Sequence, residues 1–413
     1  MSNASNSNSR YVIEGTTSLT DFGEISEVLR SADFVQAAYA PPTHPLVEAT
    51  LTAIDGPEHA QRWRLENKLF GRQQITHYLH HAVEPLLQEA LDNLRQQRDH
   101  HGTVHGDLVP LVWGIARRIP AFVVGIDNVD GERMDRFVSY LSRFGHGFSA
   151  SQSPDRDQLI QLALEARAGF ARDFFEPSAA RRRGLVEQFR AGEIDRAVLP
   201  QDLITLLLLH WNEDWDDDLL LRESTIFLSA SITTSAQFFP HFVVQITDWI
   251  GAHPEQEPRL TDIEFIQRAV AESLRFFVAS PARLRQATTD VTLSSGRQIA
   301  AGERVSLWFA PANRDRDEFG ADAELYNPLR ETGNRPQWGL AFGQGSHLCI
   351  GKPLITGVRN PSDHSRAGPG LMATLALALF NAGMVIDRSR PATKHPTSIY
   401  DEYQSLPVRF DRL

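Results

Sequence analysis

The chain holds one cysteine, Cys349, in the run Phe342-Gly343-Gln344-Gly345-Ser346-His347-Leu348-Cys349-Ile350-Gly351. Glycine has no Cβ, so backbone N–H groups in such a run can approach a sulfur closely. A thiolate cupped by N–H donors is held as an anion and protected from protonation, the state that a thiolate ligand to haem iron requires. The other reading of a lone cysteine is a small buried hydrophobe with no chemistry. With no second thiol, an intrachain disulfide and a cysteine-only metal cage are excluded, and a reducing compartment fits. Upstream, Glu272 and Arg275 stand at i and i+3 in an apolar helical run, on one helix face where they can pair. The stretch Ser229-Ala230-Ser231-Ile232-Thr233-Thr234-Ser235 gathers hydroxyls that either bond back to helix carbonyls or face a reacting ligand. His77, His80 and His81, and then His100, His101 and His105, have spacings open to zinc. No convincing acid or cysteine partner accompanies them in the sequence, and they read as surface histidines.

Hydrophobic spacing predicts a mostly helical scaffold for these groups. Apolar residues recur at three and four over Glu66 to Arg98, Leu108 to Ile126, Glu132 to Gly147, Asp155 to Phe175, Arg181 to Phe189, Leu219 to Trp249 and Asp262 to Phe277. Short alternating runs predict β-structure at Tyr11 to Thr20 and Leu284 to Phe309. Turn residues at Asp55-Gly56-Pro57, His253-Pro254 and Gly320 to Pro336 separate the elements. The 413 residues are 42% hydrophobic and 23% charged, the balance of a globular protein. Lysine and arginine total 41 against 52 acids, a net charge of −11 that gives nucleic-acid binding no support. Met1 to Ser9 is Ser/Asn-rich without an apolar core, which predicts a disordered start and no signal peptide. Leu108 to Ala116 and Leu371 to Ile386 fall short of the roughly 20 residues that cross a bilayer. A cytoplasmic protein without a membrane span is expected, with no linker or repeat to divide residues 10–413.

At this point the sequence resembles the cytochrome P450 family, whose haem loop reads Phe-x-x-Gly-x-x-x-Cys-x-Gly. Phe342, Gly345, Cys349 and Gly351 occupy its fixed positions, Glu272-Ser273-Leu274-Arg275 supplies the family's Glu-x-x-Arg, and Arg330 in Tyr326-Asn327-Pro328-Leu329-Arg330 stands where a third member joins that pair. Ala312-Asn313-Arg314-Asp315 followed by Phe319 matches a further family run, and Gly56-Pro57-Glu58-His59 opens a helix as in the family. The likeness runs from about Thr17 to the C-terminus. It implies one mainly α domain with the P450 fold, a helical bundle around haem b with a small β-rich region. It also implies iron ligation by Cys349 in a loop shaped by Phe342, Gly343 and Gly351, and haem propionates held by His59, Arg285 and His347. Glu272, Arg275 and Arg330 take a structural role. Thr233 and Thr234 become the catalytic alcohols, with Thr225, Leu228, Ser229, Ile232 and Pro281 facing the substrate.

Four departures bear on chemistry. Ile232 stands where the family places an acid beside the threonine to relay protons during dioxygen activation, and isoleucine carries no proton. Water, the substrate, or Ser229 and Ser231 could take over; otherwise the reaction is redirected. Trp63 replaces a propionate-binding arginine four residues after His59, between Arg62 and Arg64, and its Nε1–H could donate instead. Pro240 lacks the N–H that bonds Ala236 and predicts a kink. Residues 358–370, with two prolines and two glycines, interrupt the helix after the cysteine loop. There Lys352, Arg359 and Arg366 could meet an acidic partner. The leading expectation is an iron-dependent oxidoreductase, a monooxygenase acting on a small organic molecule with electrons from a separate ferredoxin and ferredoxin reductase. A haem-thiolate enzyme of another class, working on peroxide or nitrogen substrates or by rearrangement, is second. A non-catalytic haem or ligand-binding protein is third.

Overall fold

The computed structural model describes residues 13–38, 44–100, 102–148, 150, 155–216, 218–280, 282–359, 366–396 and 401–413. Expectations for residues 1–9 and for Pro281 lie outside the described residues. The chain starts with β1 (Thr17–Leu19), α1 (Phe22–Arg30) and β2 (Phe34–Gln36). Helices α2 (Gly56–Glu66), α3 (Arg72–Tyr78) and α4 (Glu84–Arg95) follow, then β3 (Val104–Asp107) and α5 (Leu108–Val124). The run expected to be helical from Glu66 to Arg98 is broken at Gly71, whose backbone is extended, and carries a π-turn at Leu79–Val83. Four helices come next: α6 (Gly131–Phe148), α7 (Arg156–Phe170), α8 (Glu176–Arg190) and α9 (Leu203–Leu209).

The long α10 (Leu219–Ala252) and α11 (Ile263–Phe276) form the centre. α10 packs against α5, α6, α9 and α11, and its buried residues occupy every side of its first turns, as a helix surrounded by others requires. The helix passes through Pro240 without interruption. α11 starts where the Asp262 side chain accepts from Glu264 N at 2.9 Å, and it buries Phe265, Ile266, Ala269 and Val270 at helical spacing.

The β-rich part follows as β4 (Ala282–Ala287), β5 (Val291–Thr292), β6 (Gln298–Ile299) and β7 (Arg304–Trp308), with short helices α12 (Phe309–Ala312) and α13 (Arg316–Phe319). The main sheet has the order β1-β7-β4-β2, with β1 parallel to β7 and the other pairs antiparallel. Its register sets Gln36 opposite Arg285 and Arg285 opposite Val305. Beyond the cysteine loop, α14 (Lys352–Thr356) ends after five residues, β8 (Val358–Arg359) pairs antiparallel with β9 (Arg366–Gly368), and α15 (Gly370–Asn381) follows. The interrupting segment is thus the base of a hairpin. Gly357 and Gly370, at φ +80° and +73°, make its entry and exit: a Cβ on Gly357 would lie 2.1 Å from the Gly368 carbonyl oxygen, so no side chain fits. The chain ends with β10 (Met384–Ile386), β11 (Thr393–Lys394), β12 (Tyr403–Ser405) and β13 (Pro407–Phe410). Among the described residues no helix is long and apolar enough to cross a membrane.

Candidate haem site

The loop before Cys349 is held by its own backbone. Cys349 N donates to the Phe342 carbonyl at 2.9 Å and Leu348 N to Gly345 O at 3.2 Å. Gly343 and Gly345 take φ of +68° and +70°, in the left-handed region. At Gly345 a Cβ would fall 2.0 Å from the Leu29 carbonyl oxygen, so glycine lets this loop dock on the end of α1. Burial pushes the Cys349 thiol up, while the N–H groups of Gly351 and Lys352 and the charges of Arg283 and Lys352 favour the thiolate. The residue nevertheless keeps accessible surface. A side chain ringed by protein yet still accessible lines an interior space, where a planar group could approach the sulfur.

A second set of groups gathers around α2. Asp55 precedes the helix, and its Oδ1 lies 2.8 Å from His347 Nε2 while its Oδ2 accepts from Gln36 N at 2.9 Å. Burial opposes ionisation of Asp55, but the His347 and Gln36 hydrogen bonds outweigh it and hold the carboxyl below its ordinary range. His59 is 2% exposed and its ring lies 4.0 Å from that of His347. Burial first, then the charge of His347, lower its pKa to about 4, so it is neutral at neutral pH. Its Nε2 is buried without a partner, and so is Trp63 Nε1 one turn further along the same helix face. Arg285, 4% exposed on β4, donates to Gln36 Oε1 at 2.7 Å, the consequence of their facing positions in the sheet. Two unpartnered ring nitrogens beside a buried guanidinium fit carboxylates. Propionate-bearing haem therefore suits this end of the site as the thiol suits the other. Asp55 and Gln36 escaped the sequence reading, where Asp55-Gly56-Pro57 registered only as a turn.

The two arginines flanking Trp63 go elsewhere. Arg64 is exposed. Arg62 is 2% exposed and bridges two fully buried carboxylates, Glu66 at 3.0 Å and Glu223 of α10 at 2.5 Å, with Trp215 stacked 4.7 Å from its guanidinium.

On the part of α10 before Pro240 the accessible side chains are Ala230 and Thr233. The turns before and after them, Leu219–Leu228 and Ser235–Pro240, are buried, so the two open onto a gap within the packed helix. The two threonines expected to act together part here. Thr234 Oγ1 donates back to the Ala230 carbonyl at 2.7 Å, whereas among the described residues no hydrogen bond ties the Thr233 hydroxyl. Three of the residues expected to face the substrate are buried. Thr225, Leu228 and Ile232 are 1%, 0% and 4% exposed and sit in the packed core. Each residue turns a helix about 100°, so the face of Thr233 cannot also present Ile232. Ser229 is half-buried beside that face.

Glu272, Arg275 and Arg330 meet in the interior. Glu272 accepts from Arg275 at 2.7 and 3.1 Å and from Arg330 at 3.1 Å, and their exposures are 0%, 0% and 5%. Both guanidiniums also bond carbonyls of the segment before the cysteine loop, Arg275 to Asn313 and Ala323 at 2.7 Å and Arg330 to Leu325 at 2.8 Å. A charged cluster at the foot of α11 thus clamps the irregular chain that presents Phe342 and Cys349. Beside the loop, Lys352 Nζ stands 5.6 Å above the Trp338 ring; the side chains of Arg359 and Arg366 lie outside the described residues. His77 and His81 stack at 4.5 Å, and among the described residues no three His, Cys, Asp or Glu side chains gather to hold a metal ion.

Comparison with known proteins agrees with this geometry. The family model for cytochrome P450 matches residues 246–355, from the end of α10 through the cysteine loop. Mycinamicin IV hydroxylase/epoxidase of Micromonospora griseorubida is 26% identical over 351 residues, 81% of this chain and 77% of that one. Nocardicin C N-oxygenase of Nocardia uniformis subsp. tsuyamanensis is 27% identical, covering 75% and 68%. Among solved structures, substrate-free CYP109E1 from Bacillus megaterium superposes with a TM-score of 0.71 at 20% identity, covering 97% of this chain and 94% of that one. The fold is that of the haem-thiolate oxidoreductases. The family model, these relatives and the solved structure support a bacterial-type cytochrome P450, for which haem b is the implied cofactor.

Proposed function

We propose that this protein is a monooxygenase that places one oxygen atom in a small organic molecule. Electrons come from a separate ferredoxin and its reductase, in the cytoplasm, and residues 10–413 act as one domain. Bound haem supplies reductive activation of dioxygen. The chain's own residues do the rest. Cys349 would supply the thiolate that holds the haem iron, and the Gly351 and Lys352 N–H groups help keep it deprotonated. Phe342 and Gly343 shape the loop around it. His59, Trp63, His347 and Arg285 hold the propionates. Thr233 offers a free hydroxyl to the reacting side, while Glu272, Arg275 and Arg330 keep the cysteine loop in position. The observation that carries this reading is the conjunction of an accessible thiol among N–H donors with unpartnered, buried His59 Nε2 and Trp63 Nε1. Relatives named as hydroxylases and oxygenases support the reaction class.

The test is turnover of the reduced holoenzyme with a ferredoxin system under labelled dioxygen. One labelled atom in the product, and a ferrous–CO band near the thiolate position that disappears in Cys349→Ser, is the expected outcome. Turnover that proceeds without dioxygen would refute it.

Ile232 supports a second reading, chemistry on peroxide or on a nitrogen substrate that draws less on proton delivery. An isoleucine 4% exposed in the core cannot serve a relay, and one relative is named for N-oxygenation.

A further inference from the structure

Many arginines of the interior meet acids. Arg62 pairs with Glu66 and Glu223, Arg182 with Asp127 and Asp202, and Arg222 with Asp216, while Arg275 and Arg330 share Glu272. A cation drawn out of water is costly without such a partner, and this chain, with 52 acids against 41 bases, is well supplied with them. Arg283 on β4 differs. It is half-buried, and its one hydrogen bond among the described residues runs from Nη1 to the carbonyl of its own neighbour Ala282 at 3.2 Å. Among those residues no carboxylate pairs with it.

Side chains two apart on a strand share a face, so Arg283 stands on the same side of β4 as Arg285, about 6–7 Å nearer the start of the strand. Leu284, between them, is buried on the other side. The two guanidiniums act on different ends of the site. The charge of Arg285 bears on Asp55 and His59, at the propionate end, whereas that of Arg283 bears on Cys349, at the iron end. The propionate end already has His59 Nε2, Trp63 Nε1, Arg285 and His347 for its two carboxylates. Arg283 is therefore a further cation, open on the side of the sheet that faces the site. A guanidinium is planar, presents paired N–H groups and is weakly hydrated, so it takes a carboxylate by two bonds even where water is scarce.

We infer that Arg283 is the docking point for the substrate, and that the substrate is a small organic acid whose carboxylate this arginine grips while the rest of the molecule lies toward the haem. The inference deepens the monooxygenase reading by naming its substrate class. A neutral molecule of the same shape leaves the cation unpaired in a partly dry site, so the arginine discriminates against esters and alcohols as well as in favour of acids. Docking makes and breaks no covalent bond; the anion offsets the cation and the carbonyl of Ala282 is no longer its sole partner.

The probes are a series of imidazol-1-ylalkanoates, acetate to hexanoate, and their methyl esters. An imidazole that ligates haem iron reports its own binding by a red shift of the Soret band, with no turnover needed. Dissociation constants are measured for haem-loaded wild type, Arg283→Gln and Arg283→Lys, together with the rate of haem transfer to apomyoglobin without ligand. A charge-assisted hydrogen bond is worth about tenfold to a hundredfold in affinity. At the tether length that reaches, wild type is expected to bind the acid about tenfold or more tighter than its ester. Arg283→Gln should bind the two alike, Arg283→Lys should fall between, and all three should release haem at one rate. A wild type with no preference for the acid at any length would overturn the proposal, as would a preference that survives in Arg283→Gln. Faster haem release in Arg283→Gln would overturn it too, by making the arginine a propionate partner. Because the binding test needs no turnover, failure of labelled oxygen to enter product would remove the monooxygenase reading and leave the carboxylate site separately judged.

Discussion

Replacing Arg62 by leucine takes away the cation that bridges two buried carboxylates. Glu66 and Glu223 are both 0% exposed, and Arg62 meets them at 3.0 and 2.5 Å. Only Glu223 has other help, from Leu51 N at 3.1 Å, while Glu66 Oε2 is buried with no partner. Removing one partner from a buried pair costs about 3–5 kcal/mol, because the charge left behind is uncompensated. A typical total stability is about 5–15 kcal/mol, so Arg62→Leu is expected to remove about a fifth of it or more. Changing all three, Arg62→Leu with Glu66→Leu and Glu223→Leu, removes the desolvation problem together with the attraction and is expected to return stability to wild type or about 1–4 kcal/mol above it. The assay is urea denaturation of the holoenzyme at neutral pH, followed by far-ultraviolet circular dichroism and by the Soret band. The deficit of Arg62→Leu should shrink as pH falls, since protonating the glutamates removes their charge. A single variant within about 1 kcal/mol of wild type would refute the reasoning, since surface pairs are worth that little. A triple variant no more stable than Arg62→Leu would refute it equally.

Three further outcomes follow from the geometry. Burial, then the charge of Glu223, raises the Glu66 pKa well above 4.5 despite Arg62; its contribution is therefore complete below the unfolded pKa and is lost as pH rises through the folded one. Glu66→Gln, neutral throughout, should match wild type near pH 4 and gain on it towards pH 9 in thermal melts; parallel curves would contradict the shift. Gly345→Ala should impair haem loading, since left-handed φ alone costs an L-residue about 1–2 kcal/mol and the new Cβ meets the Leu29 carbonyl at 2.0 Å; the ratio of Soret to protein absorbance reads this, and normal loading would sink it. Trp63→Phe removes a donor to a charged partner, worth about 1.5–3 kcal/mol, so transfer of haem to apomyoglobin should quicken by about tenfold or more; an unchanged rate would free Trp63 from that role.

The way the site assembles explains which parts were readable in advance. The cysteine loop, the Glu272–Arg275 pair and the order of the long helices depend on neighbours in the chain, and such local rules leave a mark in residue type and spacing. The departure at Ile232 was visible by the same means. Its consequence was not. The family likeness put Ile232 and Leu228 toward the substrate, while the packing of α10 against α5, α6 and α11 buries both and leaves Ala230 and Thr233 open. Likewise the polar segment after α14 could be recognised as non-helical, but only backbone pairing between Val358 and Gly368 made it a hairpin.

The sequence by itself determined the family, the one possible thiolate and the hydroxyl-rich helix, because each is a pattern within a few turns or one loop. Tertiary structure decided which hydroxyls are free, where Arg62 spends its charge and what His347 faces. Asp55 and His347 are 292 residues apart, and Arg62 and Glu223 are 161 apart. Pairings across such distances arise from how whole helices and strands dock, and burial, which gives each pairing its energy, exists only once they have docked.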